Sequence, residues 1–340
     1  MIMEAPDDVD DEMLLFLRGR EQVEVIMAEE ARADDDEIFV YTGGDQQVPD
    51  GVRRARIHKD VKIVRAWAFY NCRQLISVEF HDGVEIIEED AFRRCYSLRS
   101  IKLLGVRIIK NFAFFNCESM TAVEFGDKLE TTGKLAFAGC YVLRNISMPS
   151  ARVIGNSAFS NCCRLTNVEC GEGLRSIQLC AFNHCDNLER IALPLKSNMF
   201  GDNAFDGCEE LTTVDLVGGI HKTVASLHME SWRSEMTGEI NRINQILPVT
   251  NSFHKTGAIQ QWMESVINRL DRYKEEHRKL LKEATTLLEL ALWKASLSDH
   301  KEGEGSVRAA GEVESSRDEI RYTSGADIVI KNVLQFLALK

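Results

Sequence analysis

Cysteine is the residue type in this sequence whose number and spacing could do chemistry. The 340-residue chain holds ten cysteines, and seven of them close a repeated Ala-Phe-x-x-Cys block. Thiols at regular spacing can bind a metal ion or exchange electrons if the fold brings them face to face. The Cys-x-x-Cys spacing of zinc sites is missing from the chain. The seven cysteines of the block are Cys72, Cys95, Cys117, Cys140, Cys162, Cys185 and Cys208.

Two interpretations of the cysteine series compete, a reactive array and a set of structural thiols. Equivalent residues of stacked coils come near the Cα separation that a disulfide needs. Side chains in such a ladder run parallel, however, and do not face each other. We therefore predict buried structural thiols. The denser groups Cys162-Cys163 and Cys180 with His184 and Cys185 remain the alternative candidates for a metal site.

The spacing of the block determines the predicted fold. Successive blocks are 23, 22, 23, 22, 23 and 23 residues apart, and apolar residues follow each cysteine at three, six and eight positions. The last two of these alternate with mostly polar neighbours, which is typical of a short strand. A single coil of this length cannot bury its own apolar side chains, but stacked coils bury one another's. We expect one strand per coil, seven parallel strands spanning roughly 30–35 Å, and a column of stacked Phe rings beside the cysteines.

This repeat resembles the BspA-like class of leucine-rich repeats over residues 50 to 217. The resemblance implies a right-handed repeat solenoid with a parallel β-sheet ladder, used for protein recognition or adhesion, and it carries no catalytic residues. Together with the segment 227–232 and Trp293, the repeat block is also similar to a set of repeat proteins from unicellular algae with a C-terminal helical region. That second resemblance implies no activity.

The regions around the repeats have their own signatures. Residues 1–37 are acidic and are predicted to be mostly disordered, whereas residues 38–217 form the solenoid with capping strands at 38–41 and 52–57. Residues 218–297 are predicted to form an α-helical hairpin cap, with one helix ending at Pro248 and a second over 257–297. The apolar stripe of the second helix steps by four and three, as in a coiled coil. A flexible linker over 298–323 and a short helix over 324–340 complete the chain.

Composition excludes several functions. The net charge of −12 argues against non-specific nucleic-acid binding, which needs clustered Lys and Arg. The sequence has no apolar run long enough for a membrane helix. Its acidic start lacks a basic leader, which predicts an intracellular, cytoplasmic protein. No nucleophile, metal or nucleotide motif is present, so we expect neither an enzyme nor a bound cofactor.

The solvent side of the strands is the predicted functional surface, because repeat scaffolds bind through extended faces. Four of the seven residues in one outward column are acidic, which favours a basic or mixed-charge protein partner. Three alternatives remain. The polar residues only solvate an exposed face, or the chain is a structural protein that self-associates through the 257–297 helix. In the third alternative, the chain is an enzyme whose site has no recognised motif. The predicted partner-binding residues are Glu79, Lys102, Glu124, Asn145, Ser147, Asn167, Glu169, Arg190 and Asp215.

Overall fold

Six of the seven coils contribute a long and a short strand in this computed structural model, which describes residues 38–227 and 229–302. In the last coil an isolated bridge at Phe200 takes the place of the short strand. All strands pair in parallel between neighbouring coils. The long strands are β1 Phe39–Tyr41, β2 Arg54–Ile57, β4 Ser77–Glu79, β6 Ser100–Leu103, β8 Ala122–Phe125, β10 Asn145–Met148, β12 Asn167–Cys170, β14 Arg190–Pro194 and β15 Thr213–Val217. The short strands are β3 Ile63–Val64, β5 Ile86–Ile87, β7 Ile108–Ile109, β9 Thr131–Thr132, β11 Val153–Ile154 and β13 Ser176–Ile177.

The predicted parallel solenoid is confirmed, but the prediction of one strand per coil and one continuous sheet is wrong. The short strands form a continuous six-stranded sheet of their own. Their residues are mostly β-branched, which favours extended backbone. The repeat pattern shows only one apolar position here, and a single position does not predict a strand. The long strands divide into a five-stranded sheet ending at β8 and a four-stranded sheet starting at β10.

The predicted column of phenylalanine rings is confirmed and runs through the whole stack. Adjacent rings from Phe69 to Phe205 lie with centroids 4.6 to 5.7 Å apart and interplanar angles of 2° to 15°. All seven rings are fully buried. Offset stacks of this kind stabilise a core beyond the area that they bury. Truncating one ring to Ala should cost about 3–5 kcal/mol through lost transfer free energy and the cavity left behind.

A third side of each coil, which we call the turn face, carries the Ala-Phe-x-x-Cys block. The residue before the Ala and the residue before the Cys adopt left-handed backbone in every coil, as Trp67 and Asn71 do in the first. Asn and Gly tolerate this conformation best. This explains why Asn116, Gly139 and Asn161 stand directly before a cysteine.

Hydrogen bonds join the turn faces of successive coils. The Phe N–H of each of the first six blocks donates to the Ala carbonyl of the next block, for example Phe92 to Ala113 at 2.7 Å and Phe137 to Ala158 at 2.7 Å. At the N-terminal end, Val48 N–H donates to the Ala68 carbonyl at 3.0 Å. Val48 thereby takes the place of a Phe from an upstream coil. The two capping strands expected at this end are present as β1 and β2.

Within the described residues, the last strand is followed by three helices: α1 Ile220–Ala225, α2 Glu230–Ile246 and α3 Lys255–Glu302. Two 3₁₀ turns, Leu247–Val249 and Ser252–His254, connect α2 to α3, and Pro248 lies in the first. The first predicted helix is therefore two helices, and α3 continues five residues past its predicted end, so the linker does not begin at residue 298.

Helices α2 and α3 form an antiparallel hairpin. Trp232 near the start of α2 stacks on Tyr273 at 5.0 Å, whereas Glu239 farther along accepts from Trp262 Nε1 at 2.8 Å through its carbonyl. The apolar stripe of α3 is buried from Ile259 to Tyr273. Beyond Tyr273 the predicted stripe becomes more exposed, with Leu280 38% and Leu287 67% exposed.

The hairpin closes the C-terminal end of the stack, because its side chains form the hydrogen bonds that the backbone of a further coil would have formed with the last coil. Thr256 Oγ1 accepts from Phe205 N–H at 2.9 Å, and Asn244 Oδ1 accepts from Val214 N–H at 2.9 Å. The buried ammonium group of Lys255 donates to the carbonyls of Glu209 and Leu211 at 2.6 and 2.8 Å. Without such partners, the last coil would leave backbone groups unpaired at an open edge. The sequence expectations for residues 1–37, for most of the 298–323 linker and for the 324–340 helix lie outside the described residues.

Candidate functional site

The cysteine column has a structural role. Each thiol of the second to seventh blocks donates to the Phe carbonyl of the preceding block, with Sγ to oxygen distances of 3.1 to 3.4 Å. All ten cysteines of the chain are free thiols. The thiols therefore satisfy buried carbonyl oxygens as they fill the core beside the Phe rings.

Burial also makes these thiols unreactive. It raises the pKa of Cys72 to about 11 and the pKa of Cys140 to about 12. The pKa of Cys95, Cys117 and Cys185 is also well above its ordinary value because burial disfavours the thiolate. Because the thiolate is the nucleophile and the metal ligand, the column is a poor site for either chemistry.

The two denser cysteine groups do not form a metal site in the part of the chain that the structure describes. No three His, Cys, Asp or Glu side chains there are grouped so that they could hold an ion. Cys163 and Cys180 are partly exposed, unlike the seven column cysteines. Burial is again the main cause that raises the pKa of both.

The long-strand face presents the predicted outward columns to solvent. In β6, β8 and β10 the exposed residues alternate with buried ones, so that Lys102, Glu124 and Ser147 point away from the core. Asn145 and Glu169 are also exposed, while Asn167, Arg190 and Asp215 are half-buried. Register aligns Lys102 with Glu124 and Ser147 with Glu169 across neighbouring strands.

Ion pairs cross the strands along this face. Lys102 Nζ lies 3.0 Å from Glu124 Oε2. Arg190 contacts two carboxylates, with its Nε 2.5 Å from Asp215 Oδ2 and its Nη1 3.4 Å from Glu169 Oε1. The hydrogen bond to Asp215 raises the pKa of the Arg190 guanidinium. These groups are about half exposed, so each pair stabilises the fold by roughly 0–1 kcal/mol.

Arg56 is the member of the outward column that sequence analysis missed. Its Nε lies 2.6 Å from Glu79 Oε2, and β2 pairs with β4 in register. The sequence placed Arg56 in a capping strand, although it stands 23 residues before Glu79, at the repeat spacing. All four acidic residues of the predicted column therefore have a basic neighbour. The face is mixed in charge, and the expected attraction for a basic partner is weaker than the acidic residues alone suggest.

A shallow groove of about 400 Å³ lies on this face where the long-strand ladder breaks between β8 and β10. In the outward columns, the small side chain of Ser147 lies between Glu124 and Glu169, and that of Ala122 lies between Ser100 and Asn145. Ile101, Val123 and Ile146 also line the groove, but their side chains are buried in the core. The apolar surface of the groove therefore comes from carbon atoms of its small and polar side chains and of the backbone. Six of the nine predicted residues line it: Lys102, Glu124, Asn145, Ser147, Asn167 and Glu169. Arg190 and Asp215 lie alongside the groove, whereas Glu79 belongs to a separate pair.

The stacked coils, parallel ladders and capped ends define a repeat solenoid of about seven turns, of the leucine-rich type. The family described as BspA type Leucine rich repeat region matches residues 52–162 and 133–233 in six copies, more than half of the chain. The chain belongs to this family. No curated protein sequence matches it significantly.

Solved leucine-rich repeat proteins of bacteria are similar to this chain. A Leucine Rich Repeat protein of T. pallidum is 28% identical, with 57% of this chain and 85% of that one covered and a TM-score of 0.42. A leucine-rich repeat protein from Bacteroides ovatus is 25% identical, with 50% and 42% covered and a TM-score of 0.36. Among the described helices, none combines the length and apolar content needed to cross a bilayer.

The burial of the thiols predicts their labelling rates. In the folded chain at pH 8, an aromatic disulfide reagent should modify Cys163 and Cys180 first, because only these two are partly exposed. The other eight should react at least about a hundredfold more slowly, because their thiolates are scarce and the reagent cannot reach them. Mass spectrometry of partly labelled chain identifies the modified residues. Rapid labelling of Cys117 or Cys140 would contradict the structural role.

Proposed function

We propose that the chain is a protein–protein interaction scaffold that binds its partner through the long-strand face. Solenoids of this family generally mediate protein–protein interaction, and the family is one of repeat scaffolds rather than of enzymes. The groove at the break between β8 and β10 is the single observation that supports this face best. It combines apolar surface with polar groups, as the centre of a protein interface does.

The charges of the face favour a partner of mixed charge. Lys102, Glu124 and Arg190 are held in pairs by neighbouring strands and present both signs at the surface. A partner therefore meets an ordered pattern of alternating charge, which gives specificity more than affinity. The ten free thiols favour a reducing compartment, and we place the scaffold inside the cell on that ground.

A bulky substitution in the groove tests this function more sharply than removal of its paired carboxylates. Ser147→Trp should fill the space between Glu124 and Glu169 and reduce partner binding at least about tenfold, because the interface centre is blocked. The full chain and the variant are each used as bait, and retained proteins are compared by quantitative mass spectrometry.

The matched control is Ser176→Trp, the same change at a half-buried position of the short-strand sheet. It should retain the proteins that the unchanged chain retains, and thermal melts of both variants should confirm the fold. Equal retention by Ser147→Trp and the unchanged chain would show that another face binds the partner.

A second candidate function is self-association through the C-terminal part of α3. Leu287 and Leu290 are 67% and 54% exposed on this helix, and Leu280 is 38% exposed. Leu280 and Leu287 continue the stripe that is buried from Ile259 to Tyr273, with steps of four and three residues, and Leu290 lies beside it. Such a stripe fits a second copy of the same helix in a coiled coil. The solenoid would then act as a spacer.

Self-association predicts that Leu287→Glu converts a dimer of the full chain into a monomer, because a buried carboxylate in the seam is costly. Thr286→Glu is the control, since its side chain is exposed beside the seam and should leave the dimer intact. Sedimentation at micromolar concentration measures both. A monomeric unchanged chain would exclude this candidate.

A further inference from the structure

The turn face of the solenoid is divided into two zones of different chemistry. Its first three coils, residues 65–74, 88–97 and 110–119, form what we call the aromatic zone. Trp67 is 56% exposed and Tyr70 is 40% exposed there, although both are large apolar side chains. The same slots of the fifth to seventh coils hold small or polar residues, namely Ser157, Cys180, Asn203, Ser160, Asn183 and Asp206.

Arginine side chains interleave with the aromatic rings of this zone. The guanidinium of Arg93 lies 5.3 Å from the Phe112 ring and 5.2 Å from the Phe115 ring, while its Nη1 pairs with Asp90 at 2.9 Å. Backbone bonds join Asn71 to Arg93 and place these coils side by side. Exposed Trp, Tyr and Arg together are typical of the residues that dominate binding energy at protein interfaces.

The charge of the two zones also differs. The aromatic zone holds five basic and four acidic residues, whereas the matching segments 155–164, 178–187 and 201–210 hold one basic and five acidic residues. The Nε atoms of Arg93 and Arg94 are buried without a hydrogen-bond acceptor among the described residues. A carboxylate that drew either guanidinium outward would supply one.

The sequence contains one segment that is complementary to this zone. Residues 1–37 hold fourteen acidic and three basic side chains, and so carry a net −11 of the chain's −12. Within them, the acidic run of residues 7–12 is followed directly by the apolar residues 13–17, Met-Leu-Leu-Phe-Leu. Carboxylates beside large apolar side chains match arginines beside exposed aromatic rings.

The segment is also long enough to reach the zone. Twenty-one residues separate Leu17 from Phe39, where β1 begins at the N-terminal edge of the stack. An extended chain of that length spans at most about 70 Å. The first three coils lie within roughly 15 Å of the edge at the usual strand spacing.

We propose that residues 7–17 dock onto the aromatic zone of the same chain and cover it. The apolar residues 13–17 would pack on Trp67, Tyr70 and Phe115, and the preceding acidic run would face the arginines. The docking concerns a face other than the long-strand face, so it does not depend on the function proposed above.

Site-directed photocrosslinking in the full chain tests the docking. Tyr70 is replaced by p-benzoyl-phenylalanine, and crosslinked peptides are identified by mass spectrometry after gel separation of single chains from dimers. The expected result is a crosslink within one chain from position 70 to residues 7–17. Its yield should fall several-fold at 1 M salt, where the Debye length is about 3 Å.

Asn183 is the matched control, because it occupies the same slot as Tyr70 in the sixth coil, outside the aromatic zone. The probe at Asn183 should give no crosslink to residues 7–17, and the double change Leu14→Asp and Phe16→Asp should abolish the one at position 70. A second probe replaces Trp67 instead, so that docking is still detected if removal of the Tyr70 side chain itself weakens it. Crosslinks between two chains, equal yields from positions 70 and 183, or none from 67 and 70 would overturn the proposal.

Discussion

A coil of 22 or 23 residues has too few apolar side chains to bury a core of its own, so every coil depends on its neighbours. The contact that meets this need is the repeated layer on the turn face. Each Phe ring stacks on the next, each Phe N–H donates to the next Ala carbonyl, and each thiol donates to the preceding Phe carbonyl. One five-residue block thus supplies apolar contact and hydrogen bonds in both directions along the stack.

The same constraint explains both ends of the solenoid. A stack of this kind has an unpaired layer wherever it stops, and unrelated elements take over the pairing there. Val48 replaces a Phe at the N-terminal end, and Thr256, Asn244 and Lys255 of the helical hairpin replace a coil at the other. The hairpin is therefore a structural part of the solenoid, and its first half is fixed by that role. The second half of α3 takes no part in closing the stack, and its leucines are exposed.

The sequence could predict the parts of the fold that repeat. The spacing of the Ala-Phe-x-x-Cys block is sufficient to place the Phe column, the thiols and the outward side of the long strands. It could not reveal the break between β8 and β10, because the pattern there is as regular as elsewhere. It also could not reveal how side chains pair across the strands. Glu79, Glu124 and Glu169 looked like an acidic surface because Arg56 was assigned to a cap and Arg190 to the neighbouring column.

Function follows from the surfaces that stacking leaves exposed. Burial of the cysteines removes the obvious chemistry. We propose protein recognition for three surfaces of the described residues: the groove on the long-strand face, the seam of α3 and the aromatic zone of the turn face. These surfaces belong to different sides or ends of the molecule. A rigid core that is built by one repeated layer allows each of them to vary without loss of the fold.

Amide hydrogen exchange of the full chain tests the stacking most directly. The account predicts that the amides of Phe92, Phe114, Phe137, Phe159 and Phe182 exchange slowly and on a common timescale, because each donates to the next coil in one continuous ladder. Exchange of the Phe137 amide at the rate of an unprotected peptide, while its neighbours remain protected, would contradict a single continuous stack.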